Sequence, residues 1–178
     1  MRVSISGPPG SGKTTIASIV SKSLRLKLIL TGQVFREQAK SAGMDVHRYN
    51  NLAEKDKSID EKLDAEILRL AKASENVLVE GRLAGHVLHS NKVPAFKVFV
   101  NAPARVRAER IAKREGTKWE HEMEKLAARE LSEKKRYKVF YGIDVGDMSI
   151  YDLVIDSERI TAEEAAKIVI DEVGKRQK

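Results

Sequence analysis

The 178-residue chain contains no cysteine. Its absence excludes a disulfide framework and any thiolate metal centre. Aromatic residues are scarce, at 5% with a single tryptophan. No aromatic motif of the kind that stacks RNA bases stands out, and the basic C-terminal tail, GKRQK, is short. No apolar run approaches membrane-spanning length. The first residues read as a strand rather than a signal peptide, so a cytoplasmic protein with no membrane partner is expected. Repeats, low-complexity tracts and a Pro/Ser linker are also missing, and the length suits one domain. Neither sign of charge is lacking. Lys and Arg number 33 against 26 Asp and Glu, a formal charge of +7, and that balance favours anionic partners.

What is present begins at residue 7. Gly7-Pro8-Pro9-Gly10-Ser11-Gly12-Lys13-Thr14 fits G-x-x-x-x-G-K-[ST]. It lies between a short apolar strand (Val3, Ile5) and a run with helical apolar spacing (Ile16, Ile19, Val20, Leu24). Such a loop curls so that several backbone N–H groups point inward, and the helix that follows aims its positive end at the same point. A bound polyphosphate is the expected occupant. Lys13 is placed to reach the β- and γ-phosphates, the Thr14 hydroxyl to ligate Mg²⁺, and Thr15 to meet the α-phosphate.

Strand patterns at 2–6, 26–30, 76–80, 95–101 and 151–156 alternate with helical ones. This alternation predicts an α/β fold with a parallel sheet covered on both faces. Ligands in such folds bind beyond the carboxyl ends of the strands. Ser58-x-x-Glu61, Thr117-x-x-Glu120 and Thr161-x-x-Glu164 read as capping boxes. Residues 44–73 are expected to be largely helical, and 103–140 to form two long charged helices broken near Gly116.

Three segments offer a second binding surface, each just after or near a strand end. In Thr31-Gly32-Gln33-Val34-Phe35-Arg36, Arg36 is placed to grip a second phosphate and Thr31 to touch a base or sugar. In Glu80-Gly81-Arg82, Gly81 permits close approach and Arg82 offers a planar fork for a phosphate. Glu80 is a candidate to hold Mg²⁺-bound water, or else an ion-pair partner for Arg82 or Lys13. Arg129, Glu133 and Arg136 share one helix face at spacings of four and three, below Arg105, Arg107, Arg110 and Arg114. That arginine-rich pair of helices is expected to close over a polyphosphate. His86 and His89 read as surface histidines, and Tyr137 and Tyr141 as packing residues. Asp156-Ser157 is placed near the base of a bound ATP.

Strand, phosphate loop, T-G-x-x-F-R, E-G-R-x-x-G, R-E-x-x-E-x-x-R and Y-D-L-V-I-D-S together resemble the cytidylate kinases, most closely their archaeal-type branch. Arg82 with Gly85 is similar to that family's G-R-D-x-G, although Leu83 replaces its aspartate. Arg129 to Arg136 is similar to R-D-x-x-D-x-x-R, with glutamates for both aspartates. The resemblance implies a P-loop kinase with five parallel strands, a nucleoside-monophosphate-binding insert at about 31–73 and a lid at about 103–140. It implies ATP and Mg²⁺ as co-substrates and CMP or dCMP as acceptor, in a chain expected to be a monomer without nucleic-acid partners. Lys13, Arg129 and Arg136 are then expected to be catalytic. Thr31, Arg36, Gly81, Arg82 and Glu133 are expected to bind the acceptor. The alternatives are a UMP, AMP or shikimate-like acceptor, or a P-loop regulatory protein that binds nucleic acid.

Overall fold

The computed structural model describes residues 1–176, so Gln177 and Lys178 of the basic tail lie outside the described residues. Strand β1 (Arg2–Ser6) takes the middle of a five-stranded sheet. Val3 to Ser6 are buried because helices cover both faces. The other strands are β2 (Lys27–Leu30), β3 (Val77–Gly81), β4 (Phe96–Asn101) and β5 (Leu153–Asp156), in the order β2-β3-β1-β4-β5 and all parallel. Ser6 lies opposite Gly81, and Leu30 opposite Glu80. This register brings the loop after β1, the start of the helix after β2 and the end of β3 to one edge. The strand order reverses at β1, the place where open α/β sheets form their binding crevice.

One core layer joins β1 and β4 to α1 (Lys13–Ser23) and to the C-terminal helix, Ala162–Lys175, through Ile5, Ile16, Val20, Val98 and Val169. The opposite layer packs Ile29, Val77 and Val79 against Ile67, Ala71 and Leu88. Two smaller cores stand apart from the sheet. After β2 come α2 (Thr31–Ser41), α3 (Val46–Ala53) and α4 (Lys57–Lys72), with Ala39, Tyr49, Ala53 and Ile59 in their own cluster. A short α5 (Ala84–Ser90) follows β3. After β4 come α6 (Ala104–Glu115) and α7 (Trp119–Tyr141), held by Ala108, Ile111 and Leu126. The C-terminal helix is α8. Both excursions also reach the sheet layer, α4 through Ile67 and Ala71 and α7 through Tyr137.

The expected strands and the break at Gly116, which caps α6 in the left-handed conformation, are present. One capping box of three forms, Thr161 with Glu164. Helix α4 instead starts at Lys57, capped by Asp56, whose carboxylate accepts from the Ser58 N–H at 2.9 Å. That charge-assisted cap is stronger than a serine hydroxyl. Lys118 caps α7, and Thr117 donates to Glu122. His86 is not on the surface. Helix α5 packs on β1 and buries it edge-on to Tyr151, with ring centroids 5.8 Å apart, whereas His89 is exposed. Burial lowers the His86 pKa, against a smaller upward pull from Asp147.

Candidate active site

The loop from Gly7 to Gly12 links the buried end of β1 to α1, with Gly7, Gly10 and Gly12 at positive φ. Gly10 shows why: φ is +77°, and a Cβ there would lie 2.6 Å from the Arg107 carbonyl oxygen. Only glycine fits that approach. Gly7 and Pro8 build the loop rather than face the groove. The Pro8 carbonyl accepts from Lys13 Nζ at 3.2 Å and from the Ser11 N–H. Pro9, Gly10, Gly12, Lys13, Thr14 and Thr15 line a cleft of about 480 Å³. On the other side of the loop, a second cleft of about 410 Å³ is walled by Ser11, Ile16, Ile111, Ser157 and Ile160. Gly10, Gly12, Thr15 and Arg114 border both, so the two clefts form one groove across the loop.

Lys13 is nearly buried at the centre of this groove, 3.7 Å from Glu80 Oε1. Its pKa is lowered to about 8, first by burial and then by the Arg82 charge, with Glu80 and Glu133 pulling it back up and Arg129 lowering it further. A lysine held this way gains from a polyanion that restores its counter-charge. Thr14 and Glu80 both face the large cleft. Among the described residues no group of three or more His, Asp or Glu could cage a metal. One hydroxyl and one carboxylate nonetheless suit Mg²⁺, which keeps several waters and takes its other ligands from phosphate.

The far wall comes from three other elements. Arg82, half-buried just after β3, lies 3.3 Å from Glu133, which also accepts from Arg129 at 2.9 Å. Glu133 thus holds two guanidiniums, Arg82 and Arg129. The expectation that Arg129 and Arg136 would flank it is met only in part. Arg136 turns to the insert, where its Nε lies 3.3 Å from Asp60 on α4. Arg36 is exposed on α2 and, among the described residues, free of an ion pair. Thr31 also lines the cleft. Gly81 serves packing: a Cβ there would lie 2.5 Å from Thr31 Oγ1, so α2 can seat on β3 only over a glycine. Six cations and four carboxylates line the large cleft.

Three of the expected lid arginines do not line it, the first being Arg105, which pairs with Glu109 and lies over Trp119. Arg107 is buried behind the loop, donating to Ala102 and Pro9 carbonyls and pairing with Glu130. Arg110 donates to the Ser157 hydroxyl and carbonyl, and Ser157 in turn donates to the Ser11 carbonyl. Arg107 shares a helix face with Ile111, four residues on, and that spacing is the signal of its burial. Several cleft residues are not among the expected site residues, Asp60, Asp64 and Tyr141 among them. Asp60 and Asp64 continue the buried stripe of Ile67 and Ala71 on α4. Two carboxylates on an otherwise apolar stripe are the legible sign.

Comparisons with known proteins bear on the family and the fold. The family described as "Cytidylate kinase-like family" matches residues 2–159. The cytidylate kinase of Methanocaldococcus jannaschii is 42% identical over 179 residues, covering all of both chains. That of Archaeoglobus fulgidus is 43% identical over 173 residues, covering 97% of this chain and 94% of its own. Among solved structures, a shikimate kinase from Aquifex aeolicus superposes with a TM-score of 0.62 at 23% identity, covering 99% of this chain and 98% of the other. At that identity the likeness speaks to the fold alone, which is the P-loop kinase fold expected.

Proposed function

The chain belongs to the cytidylate kinase-like family, and from that premise we propose that it transfers the γ-phosphoryl group of ATP to CMP or dCMP, giving ADP and CDP or dCDP. The observation that carries the reading is a continuous groove across the phosphate loop, with Lys13 at its centre and Arg82 and Arg129 clasping Glu133 beyond it. The donor base occupies the smaller cleft, and its phosphates run along Gly10 to Thr15. The acceptor occupies the larger cleft.

An acceptor phosphate oxygen is already ionised at neutral pH, so no general base is required. It forms the new bond to the γ-phosphorus while the bond from that phosphorus to the β–γ bridging oxygen breaks. Catalysis is positioning plus charge neutralisation. Lys13 and Arg129 stabilise the migrating group, while Arg36 and Arg82 hold the acceptor phosphate. Glu133 keeps Arg82 and Arg129 apart until phosphate replaces it as their partner. Thr14, and Glu80 through water, would hold Mg²⁺, which would supply further neutralisation of the phosphate charge. Helices α2–α4 act as the monophosphate-binding insert and α6–α7 as the lid, whose closure excludes water that would otherwise take the phosphoryl group. On the same reading the protein acts as a monomer on free nucleotides in the cytoplasm.

An ADP-release assay with CMP, dCMP, UMP, AMP and shikimate tests this. CMP or dCMP is expected to give the highest kcat/KM, with slow ATP hydrolysis when no acceptor is present. Best turnover with AMP or shikimate overturns it. So does an ATP turnover indifferent to CMP in a protein that binds nucleic acid.

A further inference from the structure

Resting on the CMP reading above, we propose that Asp60, Asp64 and Arg136 read the acceptor base. The two carboxylates accept from the exocyclic amine of cytosine, and Arg136 donates to its ring carbonyl. Asp60 and Asp64 are one helical turn apart on α4, and both line the large cleft. Asp60 is 5% exposed, yet its Oδ2 has no hydrogen-bond partner among the described residues. Arg136 Nε is likewise buried and unpartnered. The two atoms approach to 3.3 Å out of alignment for a hydrogen bond. Buried polar atoms left unsatisfied are costly and rare in folded proteins. Here the two groups form an ion pair in the cleft wall whose facing atoms lack a hydrogen bond, and a ligand edge in the cleft would complete the bonding.

The cleft has a phosphate end and a base end. The charges that act on Lys13 are Arg82, Glu80, Glu133 and Arg129. Those that act on Asp60 are Arg136 and Glu133. Asp64 hydrogen-bonds Tyr141, and burial raises its pKa to about 6. Phe35 and Leu63 also line the cleft and offer apolar surface to a flat ring.

The donor and acceptor order of the bases does the rest. Cytosine presents an amine at C4 and acceptors at N3 and O2. Uracil presents a carbonyl oxygen at C4, which a carboxylate repels, and an N3–H aimed at Arg136. Adenine shares the amine and one ring acceptor but has no carbonyl where cytosine carries O2, so the guanidinium loses a partner. A site built to bond a polar group rejects a ligand lacking it, because its own buried groups are then left unpaired.

The experiment measures kcat/KM for CMP, dCMP and UMP in the full chain, in Asp60→Asn and in Asp64→Asn, with ATP affinity and a melting curve for each. The CMP:UMP ratio is expected to fall about 10- to 100-fold, the range for a charge-assisted bond shielded from water. An asparagine amide can donate to uracil O4, so UMP turnover is expected to gain. ATP affinity and the CMP:dCMP ratio should stay unchanged. Asp64→Asn should fold at least as well as the parent, since it removes a carboxylate whose charge burial disfavours. Should Asp60→Asn unfold, the unaltered protein carries the test alone: the monophosphate of a pyrimidine nucleoside lacking the 4-amino group should lose at least about tenfold against CMP. Equal loss for CMP and UMP in the variants overturns the assignment, as does a changed CMP:dCMP ratio, which would put the carboxylates on the ribose. Full turnover of the analogue lacking the 4-amino group also overturns it. In those cases CMP phosphorylation still stands. A wild-type protein that does not phosphorylate CMP overturns both.

Discussion

The two ends of the groove solve the same problem, holding phosphate and nucleotide, by opposite means. On the proposed reading the donor phosphates meet one contiguous stretch, Gly7 to Thr15, whose binding groups are backbone amides plus Lys13 and the Thr14 and Thr15 hydroxyls. Its shape is set by β1 behind it, α1 ahead of it and Arg107 beneath it. The acceptor end is assembled from side chains on α2, α4, β3 and α7, and its charges already pair across elements: Arg82 with Glu133, Arg136 with Asp60. A backbone cradle is preorganised and cannot be retuned by single side-chain changes. On the proposed reading, ion pairs between side chains exchange partners when phosphate arrives and can be retuned for a different base. The teaching is that reaction and substrate choice sit on separable parts of the molecule.

The strongest way to break this contrast is to remove the donor end's single fixed cation. Lys13→Ala should lower kcat by about 10²- to 10³-fold, the cost of losing one charge-stabilising group in a shielded site. Its melting temperature should hold, because the side chain serves ligand and not core. Near-normal turnover by a folded variant would end the phosphate-loop assignment.

The next effect belongs to the acceptor end. Arg82→Ala should lower kcat/KM for CMP about 10- to 100-fold, mainly through KM. ATP affinity measured without acceptor should change less than about twofold. If instead ATP affinity falls and the acceptor KM holds, the two ends have been placed the wrong way round.

A smaller effect sharpens the comparison at Glu133, the hinge between the ends. Glu133→Gln keeps the shape and removes the charge that holds Arg82 and Arg129. Activity should fall about tenfold for CMP and dCMP alike if the carboxylate only orients the arginines. A loss confined to CMP places it on the 2′-hydroxyl.

The smallest effect is a proton. Lys13 titrates near 8 in the ligand-free protein, and bound phosphate should raise it toward the ordinary lysine value. ATP binding at pH 8 should therefore take up roughly half a proton. Calorimetry in buffers of different ionisation enthalpy measures this, and Lys13→Ala should abolish it. For folding the sign is equally defined. The unfolded lysine keeps its proton up to about 10.5 and the native one only to about 8. The unfolded state thus binds more protons in that window, and this group's contribution to native stability rises with pH across it.

What the amino-acid sequence by itself determined is everything that depends on neighbours along the chain. Gly7 to Thr14 specify the phosphate loop because consecutive residues shape a backbone cradle. The β/α alternation specified the parallel sheet because a buried strand and an amphipathic helix differ in their local period. Arg82, Arg129 and Glu133 were legible because each stands in a short motif. Only the tertiary structure decided which charges meet. It took Arg107 out of the groove and put it beneath the loop, turned Arg136 to Asp60, buried His86 against Tyr151, and added Asp60, Asp64 and Tyr141 to the cleft. Asp60 and Arg136 lie 76 positions apart in the chain, and no local spacing encodes their meeting. Their contact arises from how the insert and α7 pack about the sheet edge, where burial of apolar side chains sets the distances and the charges must accommodate themselves to the result.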